Sequence, residues 1–104
     1  MNRGDELLRA HSILSTLQRN VPDGHDVEAH WVWQFHATVD RIERAVEVDL
    51  SEFRVPGNAI DPKSEYYVGG LWCERALLMQ KIDALLAYFS GVQRDEEKRI
   101  DFQL

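Results

Sequence analysis

The stretch Leu71-Trp72-Cys73-Glu74-Arg75-Ala76-Leu77-Leu78-Met79-Gln80-Lys81-Ile82-Asp83-Ala84-Leu85-Leu86-Ala87-Tyr88-Phe89 decides the fold class. It holds no Pro or Gly, and strong helix formers make up most of it. At 100° per residue, Leu71, Leu78, Ile82, Leu85, Leu86 and Phe89 form one apolar stripe, edged by Trp72 and Met79. A smaller stripe of Cys73, Leu77, Ala84 and Tyr88 lies nearly opposite. A helix that is apolar on two sides is either central to a domain or placed at an interface between copies. The prediction is therefore a helix over about 70–90, ended by Gly91 in the C′ position, with Cys73, Leu77, Ala84 and Tyr88 as a homodimer interface.

Working outward, two more helices are expected. The first covers about 5–19, with Asp5 as N-cap and Leu7, Ala10, Ile13, Leu14, Leu17 and Val21 on one face; His11 borders it. Asn20-Val21-Pro22-Asp23-Gly24 is a turn short enough to make its neighbours antiparallel. Asp23 then serves as N-cap for a helix over about 24–48, whose inner face is Val32, Phe35, Val39, Ile42 and Val46, with Trp31 beside them. Its other face is unusual: Asp26, His30, Trp33, Ala37, Asp40 and Arg44, flanked by His36 and Arg41. Trp33 in such a setting is either covered by the chain or exposed to a partner, and the length of the following connection favours cover.

That connection, 49–65, carries Leu50, Phe53, Val55 and Ile60 as candidate anchors, because long structureless segments in compact domains need docking points. Val55-Pro56-Gly57-Asn58 has the residue order of a type II turn. Past Gly91, Ile100, Phe102 and Leu104 alternate with polar residues as in a short strand. The expectation is a single all-α domain over 1–104: a bundle of three main helices, a long loop and a short C-terminal segment.

Composition narrows the function classes. Lys and Arg number 12 against 18 Asp and Glu, a net charge of −6, which disfavours binding that works by neutralising phosphates. One cysteine excludes an internal disulfide and a cysteine-built zinc site. No apolar run approaches the roughly 20 residues of a membrane span, and the Met-Asn-Arg-Gly-Asp start lacks a signal peptide's apolar segment. A cytoplasmic protein is expected.

Three constellations could carry chemistry. Asp26 with His30, and His36 with Asp40, share helix faces at a spacing of four, but the pairs are offset around and along the axis. They do not form one metal site, and neither metal nor cofactor is expected. Glu28 and Arg75 each project into an apolar face of their helices, so they are expected to pair with each other if the second and third helices run parallel. Finally, Arg19-Asn20 followed by His25 resembles the motif of the HEPN ribonucleases, compact helical proteins that usually dimerise to form the active site. The resemblance covers seven residues and implies general acid–base work for His25 and phosphate stabilisation by Arg19. Pro22-Asp23-Gly24 stands between the two, where the family's motif runs along or into a helix.

The leading reading is a small acidic protein that works by protein–protein contact, as a homodimer or a subunit of a larger assembly. Its partner-binding patch is Trp33, His30, His36, Asp40 and Arg44. The HEPN-like ribonuclease using Arg19 and His25 is the alternative.

Overall fold

A computed structural model describes residues 3–62 and 70–103, with side chains described as far as Gly91. The chain is predominantly helical, as its periodicity predicts. In order it forms α1 (Arg3–Asn20), β1 (Asp26–Glu28), α2 (Ala29–Val46), 3-10 turns at Ser51–Phe53 and Gly57–Ala59, β2 (Ile60–Asp61), β3 (Trp72–Glu74) and α3 (Arg75–Gln103).

The expected apolar faces build the core. Leu7, Ala10, Leu14, Leu17 and Val21 from α1 and its end meet Val32, Phe35, Val39 and Ile42 from α2 and Leu78, Ile82, Leu85 and Phe89 from α3, all buried. Side-chain pairs give the directions. Arg41 faces Glu6 at 3.9 Å across α1 and α2. On the other side, Gln18 Nε2 donates to Asp83 Oδ1 at 2.6 Å, and the rings of His11 and Phe89 are 5.3 Å apart. Both α2 and α3 therefore run antiparallel to α1, and parallel to each other.

The departure from an all-helical chain is a small antiparallel sheet in the order β1-β3-β2. Asp26-Val27-Glu28 and Trp72-Cys73-Glu74 are polar or partly exposed at the ends and buried in the middle, the period-2 signature of a strand. Val27 pairs with Cys73, which also pairs with Ile60. The ladder continues into the helices: Ala29 N–H donates to Leu71 O and Arg75 N–H to His25 O, each at 2.9 Å. First-turn amides have no partner within their own helix. Here the opposite strand's flank supplies one to each helix, so Glu28 ends β1 without a side-chain cap.

Several boundaries move for that reason. The second helix starts at Ala29 rather than Gly24, and Asp23 lies in the preceding turn, where Gly24 adopts φ +129°. It ends at Val46, with Glu47 in the left-handed region (φ 56°). The third helix starts at Arg75, so Leu71 leaves its stripe and stands exposed. It also continues through Gly91 to Gln103. The run after Gly91 is rich in Gln, Arg, Glu and Lys, helix formers that offset the roughly 1 kcal/mol a helical glycine costs. Ile100 and Phe102 are thus helical rather than part of a strand.

The connection after α2 is not structureless. It runs back along α2 toward the sheet, burying Leu50 and Val55 and partly burying Phe53 and Ile60, the four expected anchors. Ala59 N–H donates to Pro56 O at 3.0 Å, closing a 3-10 turn, and Gly57 lacks the positive φ of a type II turn. Residues 63–65 of the expected loop, Tyr66-Tyr67-Val68 and Leu104 lie outside the described residues, as do the side chains of Arg94 to Arg99.

Gly70, which leads into β3, sits at φ +79°. Gly70→Ala is expected to cost about 1–2 kcal/mol, the penalty of a side chain in the left-handed region. Gly57→Ala, with nothing near its added methyl, should be neutral or stabilising by up to about 1 kcal/mol. Urea midpoints of the two variants check the contrast, and equal midpoints would contradict the geometry.

Candidate functional site

The strap formed by residues 49–62 uses side chains that the sequence assigned to a partner surface. Arg54 reaches Asp40 and Glu43 on α2 with one guanidinium nitrogen. The second carboxylate oxygen of Glu43 accepts the Leu50 N–H at 2.7 Å. Val55 N–H donates to His36 Nε2 at 3.0 Å. On the α3 side, Lys81 Nζ donates to Glu52 O at 2.8 Å, and the rings of Phe53 and Tyr88 are 5.4 Å apart. His36 and Asp40 therefore hold the strap. The connection does fold back onto α2 but docks beside Trp33 instead of over it, leaving Trp33 50% exposed.

Trp33 faces a different feature. Where α2 leaves the sheet, Glu28, Ala29, His30, Trp33, Gly70, Leu71 and Trp72 line an open groove of about 460 Å³. Leu71, at 47% exposure, is the second large apolar side chain open to solvent there. His30 Nδ1 lies 3.4 Å from Glu28 Oε2, which ties the imidazole to the rim. Of the five residues of the expected patch, His30 and Trp33 belong to this groove, and Arg44 stands exposed in the last turn of α2. Leu71 and Trp72 escaped the sequence reading because both were counted as core positions of a helix that begins only at Arg75.

The sheet places one carboxylate, that of Glu28, in the lining of the groove. Alternation turns Val27 and Cys73 inward, so Asp26, Glu28, Trp72, Glu74 and Asp61 share the other side. Glu28, Trp72 and Asp61 are cross-strand neighbours in one row, and Asp26 stands opposite Glu74 in the next.

The remaining predicted residues are dispersed. Cys73 is fully buried in β3, paired with Val27 and Ile60, and cannot contribute to a dimer interface. Its thiol pKa is raised, first by burial and then by the carboxylates of Glu74, Asp26 and Asp61, so thiolate chemistry is suppressed. Leu77 is half-buried against the core, while Ala84 and Tyr88 are exposed on α3. Arg19 is exposed in the last turn of α1. His25 is exposed beyond the turn, with its Nδ1 3.3 Å from Asp26 Oδ2, so its neighbouring charged group is a carboxylate rather than Arg19. Arg75 does not meet Glu28 although α2 and α3 are parallel: its Nε donates to Pro22 O at 2.8 Å and a terminal nitrogen lies 3.6 Å from Asp23. Asp26 and His30 fall on different elements, and among the described residues no three His, Cys, Asp or Glu side chains are grouped to hold a metal. No helix among the described residues is long and apolar enough to cross a membrane.

No protein-family model matches this sequence, and neither the curated proteins nor the solved structures contain a significant match.

His36 gives the strap a pH dependence. Its Nε2 accepts a hydrogen bond, so the neutral ring is the form the fold uses. Burial first, and then the Arg54 guanidinium, lower its pKa from 6.5, with Asp40 pulling the other way. The unfolded chain therefore takes up this proton at higher pH than the folded one. The resulting stability is fully present above about pH 6.5 and is lost as pH falls through the lower folded value. Stability measured from pH 8 to 5 should fall more steeply below that point in the wild type than in His36→Gln, whose carboxamide accepts the same bond without titrating. Parallel curves would contradict this.

Proposed function

We propose that this chain works as a small acidic interaction protein, a subunit of a larger assembly that makes its contact through the groove between the start of α2 and β3. One observation carries the reading: Trp33 and Leu71 are both about half exposed, and both line a groove shared with Trp72. Large apolar side chains scattered singly over a surface need no explanation, whereas grouped ones mark contact sites. Tryptophan is among the residues that carry most binding energy when a partner covers it. The cytoplasm is the compartment proposed for this contact.

Self-association through the outer face of α3 is a second reading, supported by the exposure of Ala84 and Ala87 beside Tyr88. Small side chains there would allow two helices to approach closely. Sedimentation separates the two, since self-association requires a species of twice 12.1 kDa. Hydrolysis of RNA that disappears in His25→Ala would replace both with the ribonuclease reading.

The decisive variant is Trp33→Ala. With half its surface already in water, its loss is expected to change stability by no more than about 0.5 kcal/mol. Capture from native lysate should yield a partner in stoichiometric amount with the wild type and at least about tenfold less with the variant, a loss of 1.4 kcal/mol or more. Equal capture by the two proteins, or an unfolded variant, would contradict the proposal.

A further inference from the structure

We infer that the strap is an acid-released latch: a proton taken up by His36 frees residues 54–59 from α2 while the helical bundle stays folded. Nothing in this release requires an occupant in the groove beside Trp33.

Two neighbouring residues tie this run to α2. Val55 N–H donates to His36 Nε2 at 3.0 Å, and Arg54 binds Asp40 and Glu43. A neutral imidazole accepts through one nitrogen, whereas in the charged ring both nitrogens carry hydrogen and neither accepts. A proton on Nε2 therefore sets one N–H against another. The Val55 amide, in a residue only 3% exposed, is left without its acceptor. The same proton puts a positive charge beside the Arg54 guanidinium, whose field opposes it. Asp40 lies four residues on from His36, on the same side of α2, so the charged imidazole becomes a rival to Arg54 for that carboxylate. One proton thus weakens both ties.

The release is local because each end of the run is held by groups that His36 does not touch. On one side the Leu50 N–H rests on Glu43, Lys81 of α3 donates to Glu52 O, and Phe53 packs against Tyr88. On the other, Ile60 is paired with Cys73 in the sheet. Between them only Val55 and Ala59 reach the core, so opening gives up little apolar contact and leaves the faces of α1, α2 and α3 together.

Histidine is the side chain whose ordinary charge change falls between pH 5 and 8. Of the 4 in the chain, the others are engaged away from the strap: His11 with Phe89, His25 with Asp26 and His30 with Glu28. Burial first and then Arg54 hold the closed-state pKa of His36 below 6.5, against a smaller opposite pull from Asp40. The closed strap therefore keeps its full advantage above about pH 6.5 and loses it as pH falls through the lower value.

Amide hydrogen exchange of the 15N-labelled full chain from pH 8 to 5, corrected for the intrinsic rate, tests the latch. Below pH 6.5 protection at Val55 should fall by up to about tenfold per pH unit, the slope of a single proton. The His36 ring signals should titrate over the same range, and Phe35 and Val39 should stay protected. In His36→Gln, whose carboxamide does not titrate, protection at Val55 should be independent of pH whatever its level. Protection at Val55 that is constant in the wild type, or that falls equally in His36→Gln, would overturn the assignment to His36. A fall at Val55 in step with Phe35 and Val39 would show the whole bundle unfolding and would overturn the latch.

Discussion

The pairing of Val27 with Cys73 is the constraint on which the rest of the molecule depends. Strands of three residues have no independent stability, and this pair exists because both central side chains are sealed in the helical core. In return, the ladder supplies carbonyl partners to Ala29 and Arg75, the first residues of α2 and α3. Two helices thus leave one sheet at fixed positions. The strands are antiparallel and the helices parallel, so the chain has to change direction on passing from strand into helix. Trp33 and Trp72, one from each of these strand–helix units, line one groove.

The strap completes the bundle. Two parallel helices joined across a sheet leave a furrow between them, and residues 49–62 lie in it, with Leu50 and Val55 as the buried contacts. Arg54 binds Asp40 and Glu43, and Val55 binds His36, so much of the polar face of α2 serves the fold. What the strap leaves to solvent on that face includes His30 and Trp33 near the start of α2 and Arg44 in its last turn. The exposed aromatic surface is a consequence of where the strap runs: it passes along the His36 and Asp40 side and leaves Trp33 to solvent.

Most of the helical frame was legible in the sequence. The spacing of Leu7, Ala10, Leu14 and Leu17, and of Val32, Phe35, Val39 and Ile42, predicts the buried faces correctly, as do the four anchors of the connection. The sheet was not, because three-residue strands are too short for a period to register and they adjoin helices whose pattern absorbs them. Gly24 and Gly69-Gly70 were the available signals, since a glycine just before each strand marks a break in helical conformation. Treating Trp72 and Cys73 as helical put Cys73 on a surface and joined Trp72 to a stripe, which hid the groove. Of the candidate site, Trp33 and His30 were found for their odd setting on a polar face. His36 and Asp40 were found for the same reason, but their partners came from the strap, and no local pattern announces which polar residues a distant loop will take. Gly91 misled because composition beyond it, rather than the glycine itself, decides whether a helix stops.

Native-state hydrogen exchange at the amides of Ala29 and Arg75 tests the central claim most directly. First-turn amides of a free helix end exchange quickly, whereas amides bonded across a ladder whose centre is buried open only with the core. Protection at both positions is expected to be comparable to that of Phe35 and Val39. Exchange at the rate of an uncapped helix terminus at either position would contradict it, and with it the shared origin of α2, α3 and the groove.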